Sequence, residues 1–148
     1  MLLVRVTGSW RKLLEVSGLR SELNPKLSPL TIFTLPINNG YPDKASYETY
    51  AHERVALKTT SLTKDQIIMI KNGERPEGLE KSASVAFDVT IELCKKPGPL
   101  RKELWDQAVE TFGREGTASL LQYVGLYAYT CILLNGANVP VPEGEKLF

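Results

Sequence analysis

The sequence predicts an all-α fold, a single bundle of about six or seven helices. Apolar residues recur at helical spacing in most segments, as they do at Leu104, Ala108 and Phe112. Prolines and glycines separate these segments, and one segment opens with a helix-capping pattern. The chain has 148 residues, which suits one domain and allows it to bury roughly 70% of its unfolded surface. We therefore predict one domain over residues 1–148.

The first half of the chain is predicted to hold three helical segments and a loop. A modest amphipathic stretch at 10–23 ends at Asn24-Pro25. A short segment follows at 26–35, where Ser28-Pro29 suits a helix start. Asn-Gly and Pro at 37–43 are turn formers and predict a loop. Helix resumes at 44–59.

The second half is predicted to hold four helices and an extended tail. Thr63 and Gln66 match a capping box for a helix at 64–71, which stops at Asn72-Gly73. The remaining predicted parts are a helix at 79–95, a helix at 100–112, a hinge at 113–116, the most apolar helix at 117–134 and a tail at 139–148.

Composition and charge are those of a soluble globular protein, with 43% hydrophobic residues and a formal net charge of +1. This balance argues against nucleic acid as a partner and leaves little repulsion to oppose self-association. The first residues are too short an apolar run for a signal sequence. No segment is predicted to be long enough to cross a bilayer, and the apolar helix at the end is interpreted as a core helix. We expect a cytoplasmic protein without a membrane partner.

The two cysteines, Cys94 and Cys131, form neither a CxxC pair nor a metal-ligand spacing. Two cysteines cannot build a disulfide framework, which favours a reducing compartment. Each is expected to behave as a small buried hydrophobe. With one histidine and no cysteine cluster, we expect no zinc or haem site.

Glu48 and His52, the chain's only histidine, form the clearest candidate site. Residues four apart lie on the same helix face, so the carboxylate and the imidazole are expected to meet. Histidine changes charge near neutrality, and a neighbouring carboxylate favours its protonated form. The pair has the chemistry of a general acid/base. The alternative is a structural pair whose members satisfy each other or cap a neighbouring helix.

The last helix supplies three tyrosines. Tyr123 and Tyr127 are four apart and share a face, whereas Tyr129 points elsewhere. Tyr127 either supplies a hydroxyl to a pocket near His52 or packs in the core with its hydroxyl bonded. Asn135 is predicted to be the C-terminal cap of this helix.

Tyr47 and Tyr50 are candidate residues for a pocket or a subunit interface. Glu53 and Arg54 are predicted to be solvated or to pair across subunits. The tail at 139–148 has apolar residues without a helical period, and we expect it to pack on a neighbouring subunit.

Several stretches, in this order and spacing, resemble the carboxymuconolactone decarboxylase family, which has the alkylhydroperoxidase AhpD-like fold. The resemblance covers residues 23–144, and residues 1–22 match nothing in it. The stretches that carry it are 47–56 (YETYAHERVA), 61–63 (SLT), 70–76 (IKNGERP), 112–116 (FGREG), 120–121 (LL), 124–127 (VGLY) and 133–142 (LLNGANVPVP).

The resemblance implies an all-α protein that assembles into dimers, trimers or hexamers. Known members include a decarboxylase of a lactone in aromatic catabolism, peroxide-reducing enzymes, and proteins encoded in secondary-metabolite pathways. No cofactor is expected of the decarboxylase type. The resemblance places His52 in the active pocket, and it places Asn135 where the chain turns toward that pocket.

Two departures from the family pattern bear on activity. The peroxide-reducing branch carries CxxCxxxH on the helix of the histidine, and here the two cysteine positions are Ala45 and Glu48. Thiol peroxidase chemistry, which needs a thiolate and a resolving cysteine, is therefore disfavoured. Many members also carry a glutamate on the preceding helix, where this chain reads Ser28-Pro29-Leu30. Either Glu48 takes over its role or the site works differently.

The leading hypothesis is a cofactor-independent, lyase-like enzyme that acts by proton transfer on a small organic acid, a lactone or a polyketide-like ring. Catalytic roles are assigned to His52, Glu48 and Tyr127, and substrate contacts to Tyr47, Tyr50, Tyr123 and Asn135. Decarboxylation, isomerisation and cyclisation all need such proton transfer beside a carbonyl. The alternative is a non-catalytic oligomeric member of the family that has lost its site.

Overall fold

The computed structural model describes residues 46–96 and 98–146. Within these residues the protein is all-helical, with four helices and no strand, which confirms the predicted all-α class. The helices are α1 (Ser46–Thr59), α2 (Lys64–Lys71), α3 (Lys81–Lys95) and α4 (Lys102–Gly136). The predicted helices at 10–23 and 26–35 and the predicted loop at 37–43 lie outside the described residues.

The capping box predicted for α2 is present and fixes where this helix begins. The Thr63 hydroxyl accepts a hydrogen bond from the Gln66 backbone N–H at 3.2 Å, and the Gln66 side-chain oxygen accepts one from the Thr63 N–H at 2.9 Å. The two bonds satisfy two N–H groups that the helix start would otherwise leave open. The helix stops at Asn72, and Gly73 follows with a φ of 77°. Glycine adopts such a left-handed angle without steric cost.

A kink at Gly113 divides α4. The sequence predicts a hinge of four residues, but only Gly113 leaves the helical region, with φ 74° and ψ 172°. That backbone conformation is essentially restricted to glycine. The Thr117 hydroxyl donates a hydrogen bond to the Gly113 carbonyl at 2.8 Å, so the helix resumes at once. One residue therefore changes the direction of the chain without ending the helix.

The predicted cap at Asn135 is wrong. The helix continues through Gly136, and Ala137 is the capping position. Asn138 follows with a φ of 46°, and its N–H donates to the Asn135 carbonyl at 2.9 Å. Asparagine tolerates the left-handed region better than most residues, so the second asparagine of this segment makes the turn.

The main core lies between α3 and both halves of α4. Each fully buried aliphatic side chain in it contributes roughly 1.5–3 kcal/mol of transfer free energy. Its buried members are Val85, Ala86, Val89, Leu104, Ala108, Leu120 and Val124. A smaller cluster, Ala56, Ile67, Ile70 and Phe87, joins α1 and α2 to the other side of α3.

By length and composition α4 could cross a membrane, contrary to the prediction that no segment is long enough. Only 33% of its most apolar window is buried inside the protein. The core helix of a soluble protein passes the same test. The inner face of α4 is a core face, as predicted, and the outer face leaves apolar residues exposed.

Candidate functional site

Glu48 and His52 lie one turn apart on α1, and the structure brings them together. An oxygen of the Glu48 carboxylate, Oε2, lies 2.5 Å from Nε2 of His52. The side chains retain 11% and 15% of their exposure, respectively. The approach is too oblique for a hydrogen bond, since Oε2 has none among the described residues. The contact is therefore a close electrostatic one that orients the imidazole.

Two further polar atoms of this helix are buried and unsatisfied. Within residues 46–96 and 98–146, Nδ1 of His52 and the hydroxyl of Thr49 have no hydrogen-bond partner. Thr49 is only 4% exposed. An unsatisfied buried polar group costs about 1–3 kcal/mol, and most native proteins contain few such groups. The imidazole thus has one nitrogen held by Glu48 and one without a protein partner.

Tyr127, on α4, contacts the His52 side of this group of α1 residues. The His52 and Tyr127 rings lie 5.3 Å apart between centroids at an interplanar angle of 74°, an edge-on contact. The Tyr123 and Tyr127 rings are 5.9 Å apart and tilted by 33°. Aromatic rings prefer such offset and edge-on arrangements. The inner face of α4 therefore supplies an aromatic wall against the imidazole.

Burial and the Glu48 charge keep the neighbouring acids of α4 protonated. Burial raises the pKa of Tyr127 well above its ordinary value, and the Glu48 carboxylate raises it further. Burial likewise raises the pKa of the Cys131 thiol to about 12, with a smaller contribution from Glu48. Near neutral pH, Tyr127 is a hydroxyl that can donate a hydrogen bond. Cys131 is a neutral thiol and not a nucleophile.

Helical spacing places Thr49 on the same inward face as Glu48 and His52, and Thr49 is buried there. Sequence reasoning did not single out Cys131 as a member of this group. Cys131 lies four residues after Tyr127, and the same spacing rule that grouped Tyr123 with Tyr127 would have found it.

Tyr47 and Tyr50, two of the other candidate substrate residues, contact each other and Arg54. The Tyr47 and Tyr50 rings contact each other at 6.3 Å, and the Arg54 guanidinium covers the Tyr50 ring at 3.8 Å from its centroid. Asn135 lies two turns beyond Tyr127, which is about 12 Å further along the helix axis. Of the proposed substrate contacts, Tyr123 adjoins the His52–Tyr127 contact through its ring contact with Tyr127.

The prediction that Glu53 is solvated is wrong. Glu53 is 1% exposed, and its carboxylate accepts a hydrogen bond from the Lys71 ammonium at 2.7 Å. A carboxylate so deeply buried requires a partner, and this ion pair joins α1 to α2.

Arg54 is half-buried and holds the tail within the same chain. Its guanidinium donates to the Glu145 carboxylate at 2.5 Å and to the Lys146 carbonyl at 3.3 Å. The tail was expected to pack on a neighbouring subunit, and here its end contacts α1 of its own chain.

Among the described residues no group of three or more histidine, cysteine, aspartate or glutamate side chains could hold a metal ion. Comparison of the chain with protein-family models, with curated proteins and with solved structures gives no match in any of the three.

Proposed function

We propose that this chain is a cofactor-independent enzyme that transfers a proton to or from a carbon beside a carbonyl. One observation supports it most. The His52 imidazole is oriented by Glu48 at Nε2, keeps an unsatisfied Nδ1, and borders a tyrosine that stays protonated. A purely structural pair would have its polar atoms bonded, and the buried Nδ1 of His52 is not.

The substrate class of this proposal is a small organic acid, a lactone or a polyketide-like ring. In a decarboxylation, the bond between the carboxylate and the α-carbon breaks, and its electron pair stays on the carbon as an enolate while CO2 leaves. His52 then donates a proton from Nδ1 to that carbon, and the neutral imidazole regains a proton from water. The Tyr127 hydroxyl donates a hydrogen bond to the enolate oxygen. Isomerisation or cyclisation would use the same proton transfer.

The proposal includes the resemblance to the carboxymuconolactone decarboxylase family, with an AhpD-like bundle of six or seven helices and assembly into a homo-oligomer. It also includes a cytoplasmic location and a role in secondary metabolism. The YETYAHERVA run on α1, together with the closeness of His52 to the VGLY run on α4, supports this assignment.

A metabolite screen tests the function. Wild type is incubated with candidate acids and lactones, and CO2 release and product masses are recorded. On a substrate that wild type converts, His52→Ala should lower kcat at least a hundredfold, because general acid catalysis contributes roughly 10²–10⁴. In D2O, the product of decarboxylation should carry one deuterium on the former α-carbon.

Leu57→Ala serves as the matched control, because Leu57 lies on the same helix and is 43% exposed. Its turnover should equal that of wild type. Equal turnover by wild type and His52→Ala would refute the role of His52. The rival function is that of an oligomeric protein without catalysis. The missing upstream glutamate at Ser28-Pro29-Leu30 favours it. Failure of wild type to convert any compound in the screen would support it.

A further inference from the structure

Thr49 differs from the other threonines of the described helices in how its hydroxyl is bonded. A helical threonine ordinarily donates its hydroxyl to the backbone carbonyl four residues earlier. Thr49 is 4% exposed, and its Oγ1 has no hydrogen-bond partner among the described residues. The other threonines of α1, α3 and α4 all make that bond, at 2.7–2.9 Å: Thr59, Thr90, Thr111, Thr117 and Thr130.

Two other unsatisfied polar atoms lie beside Thr49. Oε2 of Glu48 and Nδ1 of His52 are likewise buried and unbonded within residues 46–96 and 98–146. Residues 48, 49 and 52 share one face of α1, because three or four steps along a helix return to the same side. The three atoms are an acceptor, a hydroxyl that donates and accepts, and a ring nitrogen. Native proteins leave few such atoms unsatisfied, so three within about one turn point to a ligand.

The electrostatics of this group disfavour a ligand that carries a negative charge. Glu48 is 8% exposed, and its carboxylate is already close to the imidazole of His52. Burial is the main cause of the raised pKa of both Tyr127 and Cys131, and the Glu48 charge raises each further. A carboxylate on a bound ligand would meet the same burial and the same repulsion.

The cationic side chains of the described residues do not offset this charge. Every lysine and arginine in residues 46–96 and 98–146 is exposed except Arg54 and Lys71. Arg54 pairs with Glu145, and Lys71 pairs with Glu53. A buried charge requires a partner, and these residues supply none for a ligand carboxylate beside Glu48.

We infer that the Thr49 hydroxyl is a further substrate contact of the His52 site, and that this site takes an uncharged ring with a carbonyl and a hydroxyl oxygen. Thr49 donates a hydrogen bond to the carbonyl, and the hydroxyl of the ring donates one to Oε2 of Glu48. The side chain of His52 keeps 15% of its exposure, so solvent reaches the edge of this group.

The inference rests on the proposed function and narrows its substrate class. Of the substrates considered there, lactones and polyketide-like rings without a free carboxylate fit the charge of the site. Such substrates favour isomerisation or cyclisation, since decarboxylation requires a carboxylate on the substrate.

An NMR titration of the full chain with two related probes tests the preference for an uncharged ring. Pantolactone is an uncharged ring with a hydroxyl beside its carbonyl, and pantoate is the carboxylate that forms when this ring opens. Pantolactone should shift the resonances of α1 with a dissociation constant of roughly 1–10 mM, as expected of so small a ligand. Pantoate should bind at least tenfold more weakly, because its charge is added beside that of Glu48.

Substitutions at Thr49 test the contact itself. Thr49→Val keeps the shape and removes the hydroxyl, and it should weaken pantolactone binding about three- to tenfold. Thr49→Ser keeps the hydroxyl and should bind as wild type does. Thr90→Val is the matched control, because Thr90 is 0% exposed and its hydroxyl donates to the Ala86 carbonyl at 2.8 Å. It should bind pantolactone as wild type does.

The thermal midpoints of the two valine variants distinguish a ligand contact from a structural role. Thr90→Val loses a hydrogen bond, so its midpoint should fall by about 2–5 °C. Thr49→Val removes a hydroxyl that the folded protein leaves unsatisfied, so its midpoint should stay the same or rise. A fall equal to that of Thr90→Val would show that the Thr49 hydroxyl is satisfied without a ligand, and would overturn the inference.

The titration has three further outcomes that would overturn the inference. These are no binding of pantolactone to wild type at about 50 mM, which is well above the expected dissociation constant, equal binding of pantoate, and unchanged binding by Thr49→Val. Failure of the proposed function gives a different result, because the titration does not require turnover. A protein that binds pantolactone through Thr49 but converts no compound in the metabolite screen would keep the contact and lose the catalytic proposal.

Discussion

Alkaline pH should destabilise the protein through Cys131. This thiol is 4% exposed on the inner face of α4, and burial raises its pKa from 9.0 to about 12. The folded state therefore holds the thiol proton more tightly than the unfolded chain does. The resulting stabilisation is complete below pH 9 and is lost as the pH rises toward 12.

The magnitude follows from the two pKa values. Each pH unit above the unfolded pKa costs about 1.4 kcal/mol until the folded thiol also ionises. Between pH 8 and pH 10.5 the free energy of unfolding should therefore fall by about 2 kcal/mol on account of this group alone. Urea denaturation at the two pH values, with a reductant present, measures the fall.

A matched variant isolates the contribution of Cys131. Cys131→Ala removes the thiol, so its own fall over the same interval should be smaller than that of wild type by about 2 kcal/mol. Any loss of packing affects the variant at both pH values and cancels in the difference. Tyr127 differs little between the two proteins, because burial is the main cause of its raised pKa and Cys131 is the smallest of the causes. Parallel falls in the two proteins would refute the assigned origin of the shift.

Three further outcomes are expected. Gly113→Ala should lower the free energy of unfolding by about 1–3 kcal/mol, because its φ of 74° strains any side chain. Gly125→Ala should raise it by about 1 kcal/mol in the monomer, because alanine is the better helix former. A Cβ meets nothing within 4 Å at either site, so equal effects of the two variants in urea melts of dilute protein would contradict this reasoning. Thr63→Ala should cost about 1 kcal/mol by removing the cap of α2, with Thr63→Ser as the control that keeps the hydroxyl. In stopped-flow measurements, peroxide should cause no fast thiol oxidation, because Cys131 is a neutral thiol and no CxxC is present; a fast phase would revive the peroxidase hypothesis.

Features that depend on local chemistry could be read from the sequence. The capping box at Thr63 and the stop at Asn72 follow from hydrogen bonds between residues close in the chain, so composition and order determine them. The approach of Glu48 to His52 follows from helix geometry in the same way. For this reason the all-α class and the centre of the candidate site were accessible before the structure.

Features that depend on tertiary packing were not accessible. Glu53 reads as a surface residue, and its burial follows only from the docking of α2, which brings the Lys71 ammonium to it. Asn135 reads as a cap, but α4 continues through Gly136, and Leu134 beside it packs inward, 7% exposed. The tail's contact with Arg54 joins residues far apart in sequence. Capping and helical-spacing rules consider only residues close in sequence, so they do not predict such contacts.

The kink at Gly113 allows α3 and α4 to pack on each other along both halves of α4, whereas α1 packs less extensively on them. Because it lets both halves of α4 pack on α3, residues 81–136 form one unit around the main core. Helix α1 shares little of that core, yet it carries His52. Local opening follows the weakest contacts, so release of α1 would separate His52 from Tyr127 while the rest of the bundle stays folded. Access to the imidazole would then be governed by a motion of one helix, and hydrogen exchange should be faster in α1 than in α3.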